Sequence, residues 1–444
     1  MKKLLLLLAF LSCCYCAMHA QVLKRVLNNA KDKAIQKANE KVDRAIDNTV
    51  DGTGKKKTPT KNGGADNTNN SPNKPSSGTV ADSSKTNDST ATNSSSLITY
   101  SKYDFVPGEK IVAYEDFSQE AIGDFPAKWN TNSSGEVVTA SNQQGHWLMV
   151  PKKGRFVPMY MTTLPDNFTF EYDVICNEKF SYYSPALDLF FLTGKNGKET
   201  FEYSFIPLEK RSGVKIGVHP TNGANNGGST HIESFEDGAS VIKNEVNTIQ
   251  FNSVNGKTKL HVSIWRQTQR VRVYLNEEKV FDLPRAFPAD KIYSTVLFDI
   301  WTDMNNEKDR FLISNIKLAV GAPDTRNKLI TEGKFVTRGI LFDVNSDKIK
   351  PESYGTLKDI ANVLTENAGV KVMIIGHTDS DGDDNSNLDL SKRRAESVKN
   401  ALVQNFSIDA SRLQTDGKGE TQPVDNNNTT EGKANNRRVE FVKM

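Results

Sequence analysis

Cysteine is almost missing from this chain. Of its four cysteines, Cys13, Cys14 and Cys16 crowd into the first twenty residues, and only Cys176 lies beyond them. One thiol cannot close an internal disulfide, so stability must come from packed cores. Net charge is scarce too. At +3, with 25% charged residues, the chain has no basic excess of the kind that marks a nucleic-acid partner. The apolar run over 4–17 is too short to span a bilayer comfortably. Histidines are few: beyond the first twenty residues, His146, His219, His231, His261 and His377 are scattered, and no HExxH pattern occurs. This excludes a histidine-based metalloprotease site, and no metal or cofactor is expected.

What is present divides the 444 residues into several parts. Lys2 and Lys3 precede the apolar run, and Ala20 is a small residue suited to cleavage. Residues 1–20 read as a secretory signal peptide cleaved near Ala20. Phe10, Leu11 and Ser12 suit lipid attachment at Cys13 poorly. Over 21–50, Leu23, Leu27, Ala30, Ala34, Ala38, Val42 and Ala45 recur every three or four residues. This predicts an amphipathic helix with a narrow apolar seam, either solvated and weakly docked or used for self-association or on a membrane surface. Residues 51–97 are Ser, Thr, Asn, Lys and Gly with almost no large apolar side chain. They predict a disordered linker whose ends average roughly 35–40 Å apart.

Residues 98–322 turn to alternation. Phe168, Phe170, Tyr172 and Val174 alternate with Thr169, Glu171 and Asp173; Leu260, Val262 and Ile264 alternate with His261, Ser263 and Trp265. A period of two with one apolar face predicts half-buried strands. Asn196-Gly197 and Asn255-Gly256 suit tight hairpin turns. Many short strands predict a two-sheet sandwich; a transmembrane barrel shares the alternation but wants longer, more regular segments. The stretches YEDFSQEAIGDFPAKW (114–129), GHWLMV (145–150), NTIQF (247–251), VRVYLNEEKVFDLP (271–284) and FLISNIKL (311–318) resemble the concanavalin A-like (laminin-G-like) jelly rolls. That resemblance implies a glycan-binding module or a spacer, with a glycan or an envelope protein as partner. Trp129, Trp147, Trp265 and Trp301 are expected mostly in the core. A glycan-cleaving sandwich is the alternative, and it would need carboxylates such as Glu115, Asp173, Asp188 or Glu202 to converge.

Residues 335–444 shift to alternating strand and helix, expected as βαβαβ with strands over 339–342, 371–375 and 439–442. Leu357, Ile360, Ala361 and Leu364 predict one helix, with Pro351 near its start; a second is expected over 388–405. Between them runs GHTDSDGDDNSNLDLSKRRA. It fails as a calcium loop: Asp384 stands where the loop needs glycine, and Leu390 stands where it needs glutamate. Leu390, Arg394, Val398 and Leu402 share a stripe, so Arg394 is expected on a face that excludes water, where it needs a partner. Arg393 points about 100° away and reads as an ordinary solvated charge. Asp379 is expected at the mouth of the preceding strand, with Asn387 capping the helix or holding the loop. From the residues alone, an Arg394–Asp379 ion pair that props the loop and a clamp for a charged ligand are both open.

The run GHTDSDG, NLDLSKRRAESVKNAL, RLQTDGKGETQPV and NNNTTEGKANNRRVEF closely resembles the OmpA-like peptidoglycan-binding domain from 342 to 441. The resemblance implies an exported, non-enzymatic protein of the outer membrane or periplasm that binds the peptidoglycan stem peptide through its diamino acid, chiefly diaminopimelate. It implies that Asp379 takes the ligand's ammonium and Arg394 its carboxylate. Thr378 belongs to the same motif, Asn387 would orient the loop, and Asn436 with Arg437 would line the far side. A guanidinium can grip a carboxylate through two parallel hydrogen bonds, which suits a zwitterionic head.

Overall fold

The structure, a computed structural model, describes residues 103–444 except 142, 195–196, 202–210, 222–226 and 322–324. The expected signal peptide, amphipathic helix and linker, and any self-association through that helix, lie outside the described residues.

The alternating segments pair antiparallel into an eight-stranded and a seven-stranded sheet. In the larger sheet, β1 (Lys110–Glu115), β2 (Asn167–Cys176), β3 (Lys259–Gln267) and β4 (Phe311–Val320) lie near the C-terminal domain. β2 runs between β3 and β4, and β1 flanks β4. In register, Leu260 faces Val174, Val262 faces Tyr172 and Ile264 faces Phe170. These side chains join Leu189, Phe191, Val214 and Ile216 of the smaller sheet in one core. Each fully buried side chain of this size contributes about 1.5–3 kcal/mol of transfer free energy. Apolar side chains filling the space between two separate sheets make a sandwich, not a closed membrane barrel. Trp129 and Trp147 are buried as expected, while Trp301 is exposed.

The outer face of the larger sheet departs from the period-two expectation. Thr169, Glu171, Asp173 and Ser263 point away from the core, yet all four are buried. Residues 103–108 cover part of this face: Tyr103 and Phe105 pack on Tyr274 and Trp265, and Gly108 N donates to Thr169 Oγ1 at 2.9 Å.

The C-terminal domain covers more of it. Its elements are β5 (Lys334–Thr337), α1 (Tyr354–Glu366), β6 (Val372–Gly376), α2 (Asp384–Phe406), β7 (Leu413–Gly417), α3 (Thr430–Asn436) and β8 (Val439–Lys443). The sheet order is β5-β8-β6-β7, with β6 and β7 parallel and the other pairs antiparallel. Leu357, Ile360, Ala361 and Leu364 face inward as their spacing predicts, and they meet Val398 and Leu402 of α2. The first strand forms at Lys334–Thr337, not at 339–342. Gly339 is pressed between Pro107 and Thr356, and beyond it Phe342 makes only an isolated bridge to Ile349. α2 begins four residues before the expected 388, because Asp383 caps it by accepting from Ser386 N at 3.0 Å.

The sandwich and this domain form one compact unit. Asn435 Nδ2 donates to Ile111 O at 2.9 Å, and Asn435 Oδ1 accepts from Ile111 N at 3.1 Å. One amide thereby occupies both polar groups of a residue on β1. Thr430 Oγ1 donates to Tyr114 O at 3.2 Å, and Ala434 packs on Ile111 and Ala319. Lys328 pairs with Glu109, and Arg338 Nε donates to Asn435 O at 3.0 Å. Gly355 closes the far side: a Cβ there would lie 2.1 Å from Phe105 O.

Candidate functional site

The predicted site begins where β6 ends. Gly376 lets the strand pass α2 closely; a Cβ would sit 2.2 Å from Ser391 O. The loop that follows is tied on both sides, His377 N donating to Arg438 O and Thr378 N to Gly419 O, each at 3.0 Å. Asn387, buried, fixes the loop from α2. Its Nδ2 donates to Asp379 O at 3.4 Å, to Asp381 O at 3.0 Å and to Glu420 Oε2 at 2.6 Å. Of the two roles expected for Asn387, it takes the loop-holding one, and Asp383 takes the cap.

Asp379 is 7% exposed. Its Oδ1 accepts from Asp381 N at 3.2 Å and its Oδ2 from Arg437 Nη1 at 2.5 Å. The Arg394–Asp379 pair considered from sequence does not form, since Arg437 holds that carboxylate instead. Arg394 lies over the ring of Phe342, 4.8 Å from its centroid, and its Nε donates to Ser346 O at 2.9 Å. Its two terminal amino groups make no hydrogen bond to a described residue. Burial, with the nearby Arg437, pulls its pKa down to about 10. Arg393 pairs with Asp389 at 2.8 Å on the exposed side, as an ordinary surface charge. Thr378 is buried, and its Oγ1 finds no partner among the described residues.

Asn436 is not where the resemblance implied. It is fully buried and spends its amide on the 424–427 loop, accepting from Val424 N and Asp425 N and donating to Asp425 O and Asn427 Oδ1. Its neighbour Asn435 is the latch to β1. Beneath the loop, His377 Nε2 lies 3.6 Å from Glu440 Oε1, and Arg438 binds the same oxygen at 2.8 Å. Burial pushes Glu440 up, but His377, Lys334 and Arg438 together hold it well below the usual carboxylate range.

Thr378, Asp379, Asn387, Arg394 and Arg437 share a cleft of about 760 Å³. Its opposite wall is the outer face of the sandwich, which sequence reasoning missed. There Lys317 pairs with Glu171 at 2.9 Å, and His261 Nδ1 lies 2.6 Å from Asp173 Oδ1. Burial alone would lower His261, but Asp173 and Glu171 raise it to about 10. Burial opposes ionisation of Asp173, yet His261, Lys259 and Asn315 bring it down to about 2.

The carboxylates named for a glycan-cleaving reading keep separate company. Glu115, which burial raises to about 7, accepts from Phe117 N at 3.0 Å. Asp173 is held with His261, and Asp188 lies in the smaller sheet, 2.9 Å from His231. Glu202 lies outside the described residues. Among the described residues, no group of three or more His, Cys, Asp and Glu side chains is arranged to hold a metal ion.

Residues 341–437 match the family model described as OmpA family. The probable lipoprotein YiaD of Escherichia coli is 41% identical over 128 residues, covering 26% of this chain and 58% of that protein. Outer membrane porin F of Pseudomonas aeruginosa is 40% identical over 101 residues, covering 23% of this chain and 29% of that one. The chain thus spans just over half of the first relative and under a third of the second. A solved cell wall anchor of the type VI secretion system (T6SS) from Pseudomonas aeruginosa is 32% identical, over 25% of this chain and 80% of that one, with a TM-score of 0.23. The C-terminal domain of this chain, over residues 341–437, is an OmpA family domain.

Proposed function

We propose that this chain binds peptidoglycan non-covalently through the diamino acid of the stem peptide and so anchors an outer-membrane or periplasmic protein to the cell wall. The observation that carries the reading is the uncommitted charge of Arg394. Its guanidinium is oriented by Phe342 and Ser346, half-buried, and its two amino groups, which have no hydrogen-bond partner among the described residues, can grip a carboxylate. Asp379 lines the same cleft, and its carboxylate keeps acceptor capacity beyond Arg437 and Asp381 N. An acid and a guanidinium in one cleft are complementary to an amino-acid head. Each charge-assisted contact contributes about 1.5–3 kcal/mol, so affinity for one peptide is modest, and repetition of the peptide along the wall supplies the rest.

Binding needs neither a nucleophile nor a general base, and the reading is of a non-enzymatic envelope protein exported by its leader. The central sandwich, read as a concanavalin A-like jelly roll, would meet a glycan or another envelope protein. The test is retention of the purified chain by peptidoglycan sacculi. Asp379→Ala and Arg394→Ala are expected to lose retention while near-ultraviolet circular dichroism stays that of the wild type. Wild-type retention by both variants would overturn the site.

A further inference from the structure

Tyr114 belongs to the sandwich, yet its ring lies against the binding cleft of the C-terminal domain. It stands on β1, the strand that α3 grips through Asn435 and Thr430. Arg437 leaves the end of α3 and comes to lie 5.7 Å above the Tyr114 ring, while its Nη1 reaches Asp379 Oδ2. The guanidinium is therefore held from two directions, by a ring of one domain and a carboxylate of the other.

Tyr114 is itself held. Its hydroxyl donates to Asn315 Oδ1 at 3.2 Å, and Asn315 Nδ2 donates to Asp173 Oδ2 at 2.8 Å. Asn315 sits in a bulge of β4, where the register with β2 breaks between Ser314 and Lys317, and it has a φ of 52°. A bulge re-aims a side chain, and a left-handed backbone at a residue other than glycine is costly within a strand. Here that conformation places one amide between Asp173 and Tyr114.

We propose that Tyr114, supplied by the sandwich, is a positioning residue of the peptide site: it holds Arg437 against Asp379, and the strained Asn315 holds Tyr114. The inference rests on reading the cleft as the peptidoglycan site. With Arg437 fixed, the remaining acceptor positions of Asp379 face the cleft in one orientation, ready for the ligand's ammonium. Without the ring, Arg437 swings and the carboxylate loses that orientation. The sandwich is then part of the binding unit as well as its cargo.

The experiment titrates the full chain with a soluble muropeptide carrying diaminopimelate and records thermal unfolding in parallel. Tyr114→Ala is expected to weaken binding about threefold to tenfold. Tyr114→Phe, which keeps the ring, is expected to stay within about twofold of the wild type. In the Arg437→Ala background, Tyr114→Ala should add no further loss, because its effect passes through that guanidinium. Asn315→Gly, which removes the amide between Asp173 and Tyr114, is expected to weaken binding in the wild-type background and to add no further loss in the Arg437→Ala background, a dependence that a purely structural role would not produce. Wild-type affinity for Tyr114→Ala, or losses that add between Tyr114→Ala and Arg437→Ala, would overturn the proposal. Should Tyr114→Ala fail to fold, wild-type affinity for Asn315→Gly would overturn it alone. Failure of the unmodified chain to bind muropeptide or sacculi would instead defeat the peptidoglycan reading itself, an outcome no Tyr114 variant can mimic.

Discussion

The two walls of the cleft treat charge in opposite ways. On the sandwich side the buried ions answer one another: Glu171 holds Lys317, and Asp173 holds His261. On the C-terminal side the pattern is left incomplete. Among the described residues, the two terminal amino groups of Arg394 have no hydrogen-bond partner and no carboxylate pairs with them. A closed network gives rigidity and a fixed shape, whereas an open one carries an unpaid desolvation cost that a ligand can relieve. The contrast separates scaffold from candidate site within a few side chains of each other.

Breaking the closed wall should do the largest damage. Glu171→Gln leaves Lys317 buried beside a neutral partner, and we expect it to destabilise the unit by about 3–5 kcal/mol, read from urea unfolding. Breaking the open wall should move binding and spare stability. Arg394→Ala is expected to weaken muropeptide binding by about tenfold or more, with the unfolding midpoint close to that of the wild type. If Arg394→Ala unfolded the protein as severely as Glu171→Gln, the contrast would fail.

The seam between the walls is tested by Gly355→Ala. Its methyl group meets Phe105 O, and the expected cost is about 1–3 kcal/mol in thermal unfolding. The closed wall also has a signature in pH. The pKa of His261 is raised to about 10 in the folded chain. The stability it contributes is complete below its unfolded value of about 6.5 and is lost as pH rises through about 10. Asp173, lowered to about 2, contributes stability that is present above about 3.9 and is lost as pH falls through about 2. Unfolding free energy should therefore decline between about pH 6.5 and 10, and His261→Gln should flatten that decline. The smallest effect is expected at the helix cap, where Asp383→Ala should cost about 1 kcal/mol.

How far the sequence spoke depended on distance along the chain. Asp379, Asn387 and Arg394 are close in sequence, on one strand end and one helix, so spacing alone brought them to the same loop. The partner of Asp379 was not legible, because Arg437 lies 58 positions away on another element. Asn435 and Asn436 show the limit within a single dipeptide. Two identical amides stand side by side, and only the fold decides that one reaches across to β1 as well as to Asp425 while the other binds the 424–427 loop alone. Alternation in β2 and β3 reported which residues point outward. It was silent on the Tyr103–Phe105 segment and the neighbouring domain that cover them, because burial of an outer face is a property of whatever lies on top of it.

The latch between Asn435 and Ile111 has a mechanical meaning. Asn435 lies two residues before Arg437, so on the proposed peptidoglycan reading tension from the wall would enter β1 almost directly at the grip. The latch's pair of hydrogen bonds, with Thr430 on Tyr114 O and Ala434 on Ile111, lies nearer the grip than the chain connection between β4 and β5. On the proposed reading, a pull from the wall would reach the sandwich at β1 of its larger sheet without first stretching the connection between the domains.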